Sequence, residues 1–178
     1  MLAGLCFALP FVTVSCDVPG GYGRANAGGT SSYTGIDLAT GGAPDVPDSH
    51  RREPEVAQDD RFTPQPLVIV AGNVILAGAA AAAIRVARTR RAVATAAAVA
   101  AGIALITAET IAHALIEVRL REQLAVPLPA GKVAADYVRT GNGFVVCLLL
   151  LVVLAAANGI ALWRARSPGP ATSEAVRT

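Results

Sequence analysis

Three long stretches of this sequence contain no charged side chain: Leu67–Ile84, Ala92–Ala108 and Gly143–Trp163. Each approaches the length of about 20 residues that an α-helix needs to cross the hydrocarbon core of a bilayer. The composition agrees, because 53% of the residues are apolar and only 16% are charged, against about 25% charged in soluble domains. The sequence therefore predicts a polytopic membrane protein.

We expect an all-α fold, an integral membrane bundle of four transmembrane helices whose first member is Met1–Cys16. Three interpretations of that segment remain open: a transmembrane helix, with or without a missed upstream start codon, a cleaved signal peptide, or lipidation at Cys16. The segment lacks the basic region that begins a signal peptide. The residues before Cys16 match a lipobox except at Thr13, which replaces the usual Leu. The transmembrane helix is the interpretation that we carry forward.

The rest of the chain divides at the ends of the apolar stretches. Residues 17–66 are predicted to form an extracytoplasmic Gly- and Pro-rich loop, and 67–164 a three-helix transmembrane region with an external loop at 125–141. A cytoplasmic tail, 165–178, follows. The Gly, Pro, Ser and Asp content of 17–66 predicts a largely irregular segment without a core, with a short ordered piece at Ser32–Ala39.

Arginines orient the predicted bundle, because basic residues near span ends are retained in the cytoplasm. Four of them lie between the first two long stretches with no acid among them: Arg85, Arg88, Arg90 and Arg91. More basic residues follow Trp163. With four spans, this pattern predicts a multi-pass protein of the plasma membrane with both termini cytoplasmic.

Three motifs suggest a family. Leu9–Cys16 (LPFVTVSC), Tyr33–Gly41 (YTGIDLATG) and Thr140–Phe144 (TGNGF) resemble, in this order, a group of uncharacterised small multi-pass membrane proteins of actinobacteria. The resemblance covers most of the chain, and its motifs are short and apolar or turn-like. It implies a membrane location and transfers no activity or catalytic residue.

A polar stripe is the most chemically suggestive feature. Glu109, His113, Glu117 and Arg121 follow one another at intervals of four, which places them on one face of a helix. An imidazole between carboxylates can relay protons or bind a metal. Counting about 1.5 Å per residue from Ala92, Glu109 lies roughly 26 Å along a core of about 30 Å, near the outer surface. Solvated ion pairing, a proton or cation pathway and a metal site remain alternatives, and Asn73 is a predicted partner of Glu109.

The sequence offers little evidence for catalysis. It contains no HExxH motif, midplane pair of aspartates or recognisable Ser/His/Asp set. The formal net charge is only +2, and no basic run is interleaved with aromatic residues, which argues against nucleic acid. A disulfide between Cys16 and Cys147 and buried thiols at these positions are both left open.

We therefore expect a non-enzymatic accessory or scaffolding subunit without catalytic, cofactor-binding or metal-binding residues. Its expected partners are the lipid bilayer and other membrane proteins or a second copy of itself. The alternative hypothesis is a small proton or cation transporter centred on Glu109, with an intramembrane enzyme third.

Overall fold

Three long helices, one short helix and a small sheet organise this chain in a computed structural model, which describes residues 5–15, 17, 22–53, 61–123, 128 and 130–165. The strands are β1 (Pro10–Ser15), β2 (Thr30–Thr34) and β3 (Val138–Thr140). The α-helices are α1 (Gly35–Thr40), α2 (Pro66–Ala80), α3 (Ala87–Gln123) and α4 (Asn142–Arg164). Short 3-10 turns lie at Cys6–Ala8, Asp48–His50, Ala81–Ala83 and Ala134–Tyr137.

Helix α3 is the centre of the helical part, because it packs against both α2 and α4. Its buried side chains recur every three or four residues, as expected for one face of a helix: Ala98, Ala101, Leu105, Ala108, Ala112, Ile116 and Leu120. Small residues let the helices approach closely. A Cβ atom placed on Gly78 of α2 would lie 3.0 Å from the Cβ atom of Ala97.

Two of the described helices, α3 and α4, are long and apolar enough to cross a membrane. Helix α2 is apolar but shorter, since its α-helical part ends at Ala80 and continues as the 3-10 turn. Pro66 begins α2, a position where the missing N–H of proline costs no helical hydrogen bond.

The sheet is antiparallel, with strand order β2-β1-β3. β1 is therefore the central strand, and its side chains Val12 and Val14 are fully buried. The run from Val12 to Val14 is β-branched throughout, which favours an extended backbone. Pro10 begins the strand, a position that proline tolerates.

The predicted four-helix bundle is wrong. The segment Met1–Cys16 does not form a first transmembrane helix, because residues 10–15 form the central strand of the sheet. Its short apolar run allowed either a helix or a strand, and long-range pairing with β2 and β3 selects the strand. Cys16 and residues 166–178 lie outside the described residues, so lipidation, signal cleavage, a Cys16–Cys147 bridge and the cytoplasmic tail stay predictions.

The first and last described segments lie at opposite ends of the helices. Leu9 and Pro10 contact the start of α4 at Gly143. Arg164 at the other end of α4 is about 32 Å away by the helical rise. The four-span arrangement, which would place both termini on one side of a membrane, is therefore not the arrangement of the described chain.

The expectation of a largely irregular segment without a core at 17–66 is also wrong. β2 and α1 lie within it, as does a set of side chains that are at most 4% exposed: Tyr22, Ala25, Tyr33, Leu38, Val46 and Phe62. The ring of Tyr33 packs edge-on against Phe62 at 4.9 Å. We call this sheet with its packed segments the cap domain, comprising residues 10–15, 22–53, 61–65 and 130–140.

Helix α1 shows how a Gly- and Thr-rich stretch becomes ordered. The Thr34 hydroxyl accepts a hydrogen bond from the Asp37 N–H, and the Asp37 carboxylate accepts one from the Thr34 N–H. This reciprocal pair is a capping box. Gly41 ends the helix with φ of 77°, a left-handed conformation that glycine adopts without strain.

Candidate functional site

The described residues of the three motif segments LPFVTVSC, YTGIDLATG and TGNGF come together in space where the sheet meets α4. A Cβ atom on Gly35 would lie 2.9 Å from the Phe7 ring and 3.1 Å from the Phe11 ring. A Cβ atom on Gly143 would lie 2.6 Å from the Cβ atom of Leu9. Phe11 in turn packs edge-on against Phe144. We call this region the motif junction.

Backbone contacts fix the motif junction. β3 pairs with β1 through Val12 and Thr140, and the next residue, Gly141, donates its N–H to the Phe11 carbonyl. Gly141 precedes the first residue of α4. The sheet therefore continues directly into the helix, and the absence of a side chain at Gly141 permits the close approach.

Glu109 is the most deeply buried member of the predicted polar stripe. It lies one residue beyond the buried Ala108 on the face of α3 that packs inward, and its side chain is only 9% exposed. Its Oε1 atom lies 3.1 Å from Nε2 of His113. Its Oε2 atom is buried and has no hydrogen-bond partner among the described residues. Half of the carboxyl group is thus left unsatisfied, which is costly in a protein interior.

His113 connects α3 to the sheet. The same Nε2 atom that faces Glu109 lies 3.4 Å from the hydroxyl oxygen of Thr140 on β3. A ring nitrogen carries at most one proton, so Nε2 either donates to one of these groups or accepts from the Thr140 hydroxyl or from a protonated Glu109 carboxyl. The side chain of His113 is 31% exposed, so solvent reaches this cluster from one side. We call Glu109, His113 and Thr140 the polar triad.

The other predicted site residues lie elsewhere. Glu117 forms an ion pair with Arg121 at the surface of α3. Asn73 is exposed, and its amide donates to the Ile69 carbonyl of its own helix at 2.9 Å. Ala71 is buried, and Asn73 comes two residues later, about 200° further around the axis of α2. Asn73 therefore lies on the opposite side of the helix from Ala71. The structure therefore brings together Glu109 and His113, but neither Glu117 nor Asn73 with them.

Thr140 and Arg119 are the residues that sequence reasoning missed. Thr140 lies 27 positions from His113 and meets it only through the pairing of β3 with β1. Arg119 donates to the Arg61 carbonyl at 2.6 Å, and its guanidinium lies 5.4 Å from the centre of the Phe62 ring. Only the TGNGF motif pointed to the region of Thr140, and the sequence carried no local signal for Arg119.

Two cavities in the described part of the chain lie at opposite ends of the helices. The one at the sheet end, of about 500 Å³, adjoins the polar triad at Thr140 and is also lined by Leu9, Thr13, Arg139 and Asn142. The other, of about 300 Å³, lies between α2, α3 and α4 near the turn that joins α2 to α3. Its lining includes Arg90 and Asn158.

Most polar side chains within the long helices bond to their own backbone. Thr95, Thr107 and Thr110 each donate to the carbonyl oxygen four residues earlier at 2.9 Å. Asn158 does the same towards Leu154 at 2.8 Å. These groups are satisfied locally, so they do not form a polar path that continues from the polar triad along α3.

The chemistry open to the polar triad is proton exchange between carboxyl and imidazole or weak binding of a cation at Oε2. A metal centre needs more ligands, and the described part of the chain brings no three His, Cys, Asp or Glu side chains together in a geometry for holding a metal.

Comparisons with protein-family models, with curated proteins and with solved structures found no match to this chain.

Proposed function

We propose that this chain is a three-pass integral membrane protein of the plasma membrane that acts as a non-catalytic accessory or scaffolding subunit. The observation that carries the proposal is the surface of α4. Only 11% of its most apolar window is buried, and large side chains such as Leu149, Val152 and Val153 are each more than half exposed. Apolar surface of this extent is unfavourable in water. This surface of α4 is therefore expected to be covered by lipid or by a helix of a partner protein.

Packing supports a third span. Helix α2 lies against α3 at Gly78 and Ala97, so α2 enters the membrane if α3 crosses it. With its 3-10 turn, the segment Pro66–Ala83 is about 28 Å long, close to a hydrocarbon core of about 30 Å. Apart from Asn73, the large side chains that it exposes are apolar: Ile69, Val70 and Leu76.

The arginine cluster orients the three spans. Arg85, Arg88, Arg90 and Arg91 lie at the end of the helices opposite the sheet, which favours a cytoplasmic location for that end. The cap domain then lies outside the cell, and Arg164 at the end of α4 lies in the cytoplasm. This orientation replaces the one with both termini in the cytoplasm.

A scaffolding role fits the way α3 carries the cap domain. Its 37 residues extend about 55 Å, roughly 25 Å more than the hydrocarbon core. The projecting part is tied to the cap domain through Arg119, which contacts Phe62 and the Arg61 carbonyl. The end of α3 therefore holds the cap domain above the surface of the bilayer. Such a position suits a subunit that assembles with other membrane proteins.

Site-specific photocrosslinking in native membranes tests the scaffolding role. A benzophenone amino acid at Val153, which is exposed, is compared with the same probe at Leu151, which is buried on the same helix. Probes at Leu76, Ile103 and Ile36 cover α2, α3 and the cap domain. We expect a discrete protein adduct from at least one exposed position and none from Leu151. Adducts with lipid alone at every exposed position would contradict scaffolding.

Extraction with alkaline carbonate tests the membrane part of the proposal separately. An integral protein stays in the pellet under this treatment. Release of the chain into the supernatant would contradict membrane insertion whatever the crosslinking shows.

One observation favours a second candidate function, proton or cation transport. The Oε2 atom of Glu109 is buried and has no hydrogen-bond partner among the described residues. The test is ion flux in liposomes with Glu109→Gln, using Glu117→Gln as the matched control because Glu117 is an ion-paired surface residue. Flux that is lost only in Glu109→Gln would favour the transporter. No flux in the parent, or unchanged flux in Glu109→Gln, would remove it.

A further inference from the structure

The cavity at the arginine end of the helices differs from the polar triad in both shape and chemistry. Its wall is built from small and aliphatic residues of three helices, among them Gly78, Ala94, Leu151 and Leu154. Leu154 at the rim is 45% exposed, so the cavity opens to the surface of the bundle. We call this cavity the groove, since it is apolar and open on the outer surface of the three helices.

The groove has a definite direction. Arg90 lies at one end and Ala98 deeper along the same helix. Eight residues of α3 separate them, which is about 12 Å along the helix axis. On α4 the lining runs from Leu151 to Asn158. The groove thus offers an apolar trough with a cation and an amide at its mouth.

Among the described residues that line the groove, none is an acid that could neutralise the charge of Arg90. The sequence contains no Asp or Glu from Leu67 to Ala108, and none from Asn142 to Arg164. These ranges include all the residues that line the groove. Arg85, Arg88 and Arg91 add further positive charge beside it. No side chain of these described helices can neutralise the charge of Arg90, and an anionic ligand would balance it.

We propose that this groove binds an anionic phospholipid of the cytoplasmic leaflet, with the phosphate at Arg90 and an acyl chain in the apolar trough. The inference rests on the membrane orientation proposed above, which places Arg90 at the inner surface. Basic pockets between transmembrane helices on that side bind anionic headgroups. The apolar wall below Arg90 favours a lipid over free phosphate, which has no apolar part to bury.

Native mass spectrometry of the full chain in mild detergent tests the proposal. The chain is titrated with phosphatidylglycerol and, separately, with zwitterionic phosphatidylcholine of the same acyl chains. The variant Arg90→Gln removes the positive charge that lines the groove. The control Arg88→Gln removes a charge of the same arginine cluster, but Arg88 does not line the groove. Ala94→Leu narrows the trough without changing charge, and a thermal melt of each variant confirms that it is folded.

We expect the parent to prefer phosphatidylglycerol. Arg90→Gln should weaken its binding about fivefold or more, the effect of roughly one charge at the membrane surface, and Arg88→Gln should weaken it less than about twofold. Ala94→Leu should also weaken it. Equal losses in the two arginine variants would show general surface charge and overturn the proposal.

Other occupants give different results, each of which overturns the proposal. Displacement of phosphatidylglycerol by inorganic phosphate would indicate a free-anion site. Dimers that disappear in Ala94→Leu, with lipid binding unchanged, would indicate a second copy in the groove. If the chain stays in the carbonate pellet and Arg90→Gln binds lipid normally, the lipid site fails while the membrane proposal stands.

Discussion

Gly141 and Pro10 approach so closely that a Cβ atom on Gly141 would lie 2.2 Å from the Pro10 carbonyl oxygen. The contact joins the central strand of the sheet to the residue that precedes α4. Because the nearest atoms belong to backbone, they cannot move aside as the end of a flexible side chain could. The position of the sheet on the helices therefore depends on the missing side chain at Gly141.

Replacing Gly141 by Ala should destabilise the protein. The added methyl group must push β1 away from the start of α4, and overpacking of this kind costs about 1–3 kcal/mol. The measurement is the thermal midpoint in detergent, which should fall. Gly159→Ala is the matched control, because no atom lies within 4 Å of a Cβ at Gly159 and Ala favours a helix. Equal midpoints for the two variants would contradict the close approach at Gly141.

Phe62→Ala should unfold the cap domain more readily. Phe62 is 4% exposed and packs against the Tyr33 ring and the Arg119 guanidinium. Truncating a buried Phe costs about 3–5 kcal/mol. Limited proteolysis of the cap domain should become faster in this variant. Proteolysis of the Val133→Ala variant, which changes an exposed residue, should proceed at the rate of the parent. Unchanged protection in Phe62→Ala would show that the segment 61–65 does not belong to the cap domain.

Arg119→Lys should loosen the segment around Arg61 without unfolding the cap domain. Lysine keeps the charge but loses the planar guanidinium that lies on Phe62 and donates to the Arg61 carbonyl. We expect a loss of about 1 kcal/mol. Amide hydrogen exchange near residues 61–65 should speed up. Arg139→Lys, at an exposed residue of β3, serves as the control, and equal effects at both positions would argue against a specific role for Arg119.

The long helices were predictable because the absence of charge over many residues is a local property. The stretch Ala92–Ala108 lies inside α3, and Gly143–Trp163 matches α4 to within a residue at each end. The strand β1 was not predictable in the same way. Its run Phe11–Val14 is mostly apolar, and a short apolar run is compatible with either a helix or a strand. Only its pairing with two distant segments decides that it is a strand.

The cap domain was missed because its core is made of scattered residues. Tyr22, Val46 and Phe62 lie far apart in a Gly- and Pro-rich sequence, and none belongs to a periodic pattern. In the site, Glu109 and His113 meet on one helix, as residues four apart do. The partner Thr140 depended on the sheet, which the sequence did not reveal.

Accessibility of introduced cysteines should show the orientation of the three proposed spans. Ser49 is exposed in the cap domain, and Val86 is exposed in the turn between α2 and α3. If the arginine end is cytoplasmic, a membrane-impermeant maleimide applied to intact spheroplasts should label Ser49→Cys and leave Val86→Cys unlabelled. Both variants should react once the membrane is permeabilised. The parent, which contains Cys6, Cys16 and Cys147, gives the background labelling. The inverse pattern would overturn the orientation, and labelling of both variants in intact spheroplasts would mean that the helices do not cross the membrane.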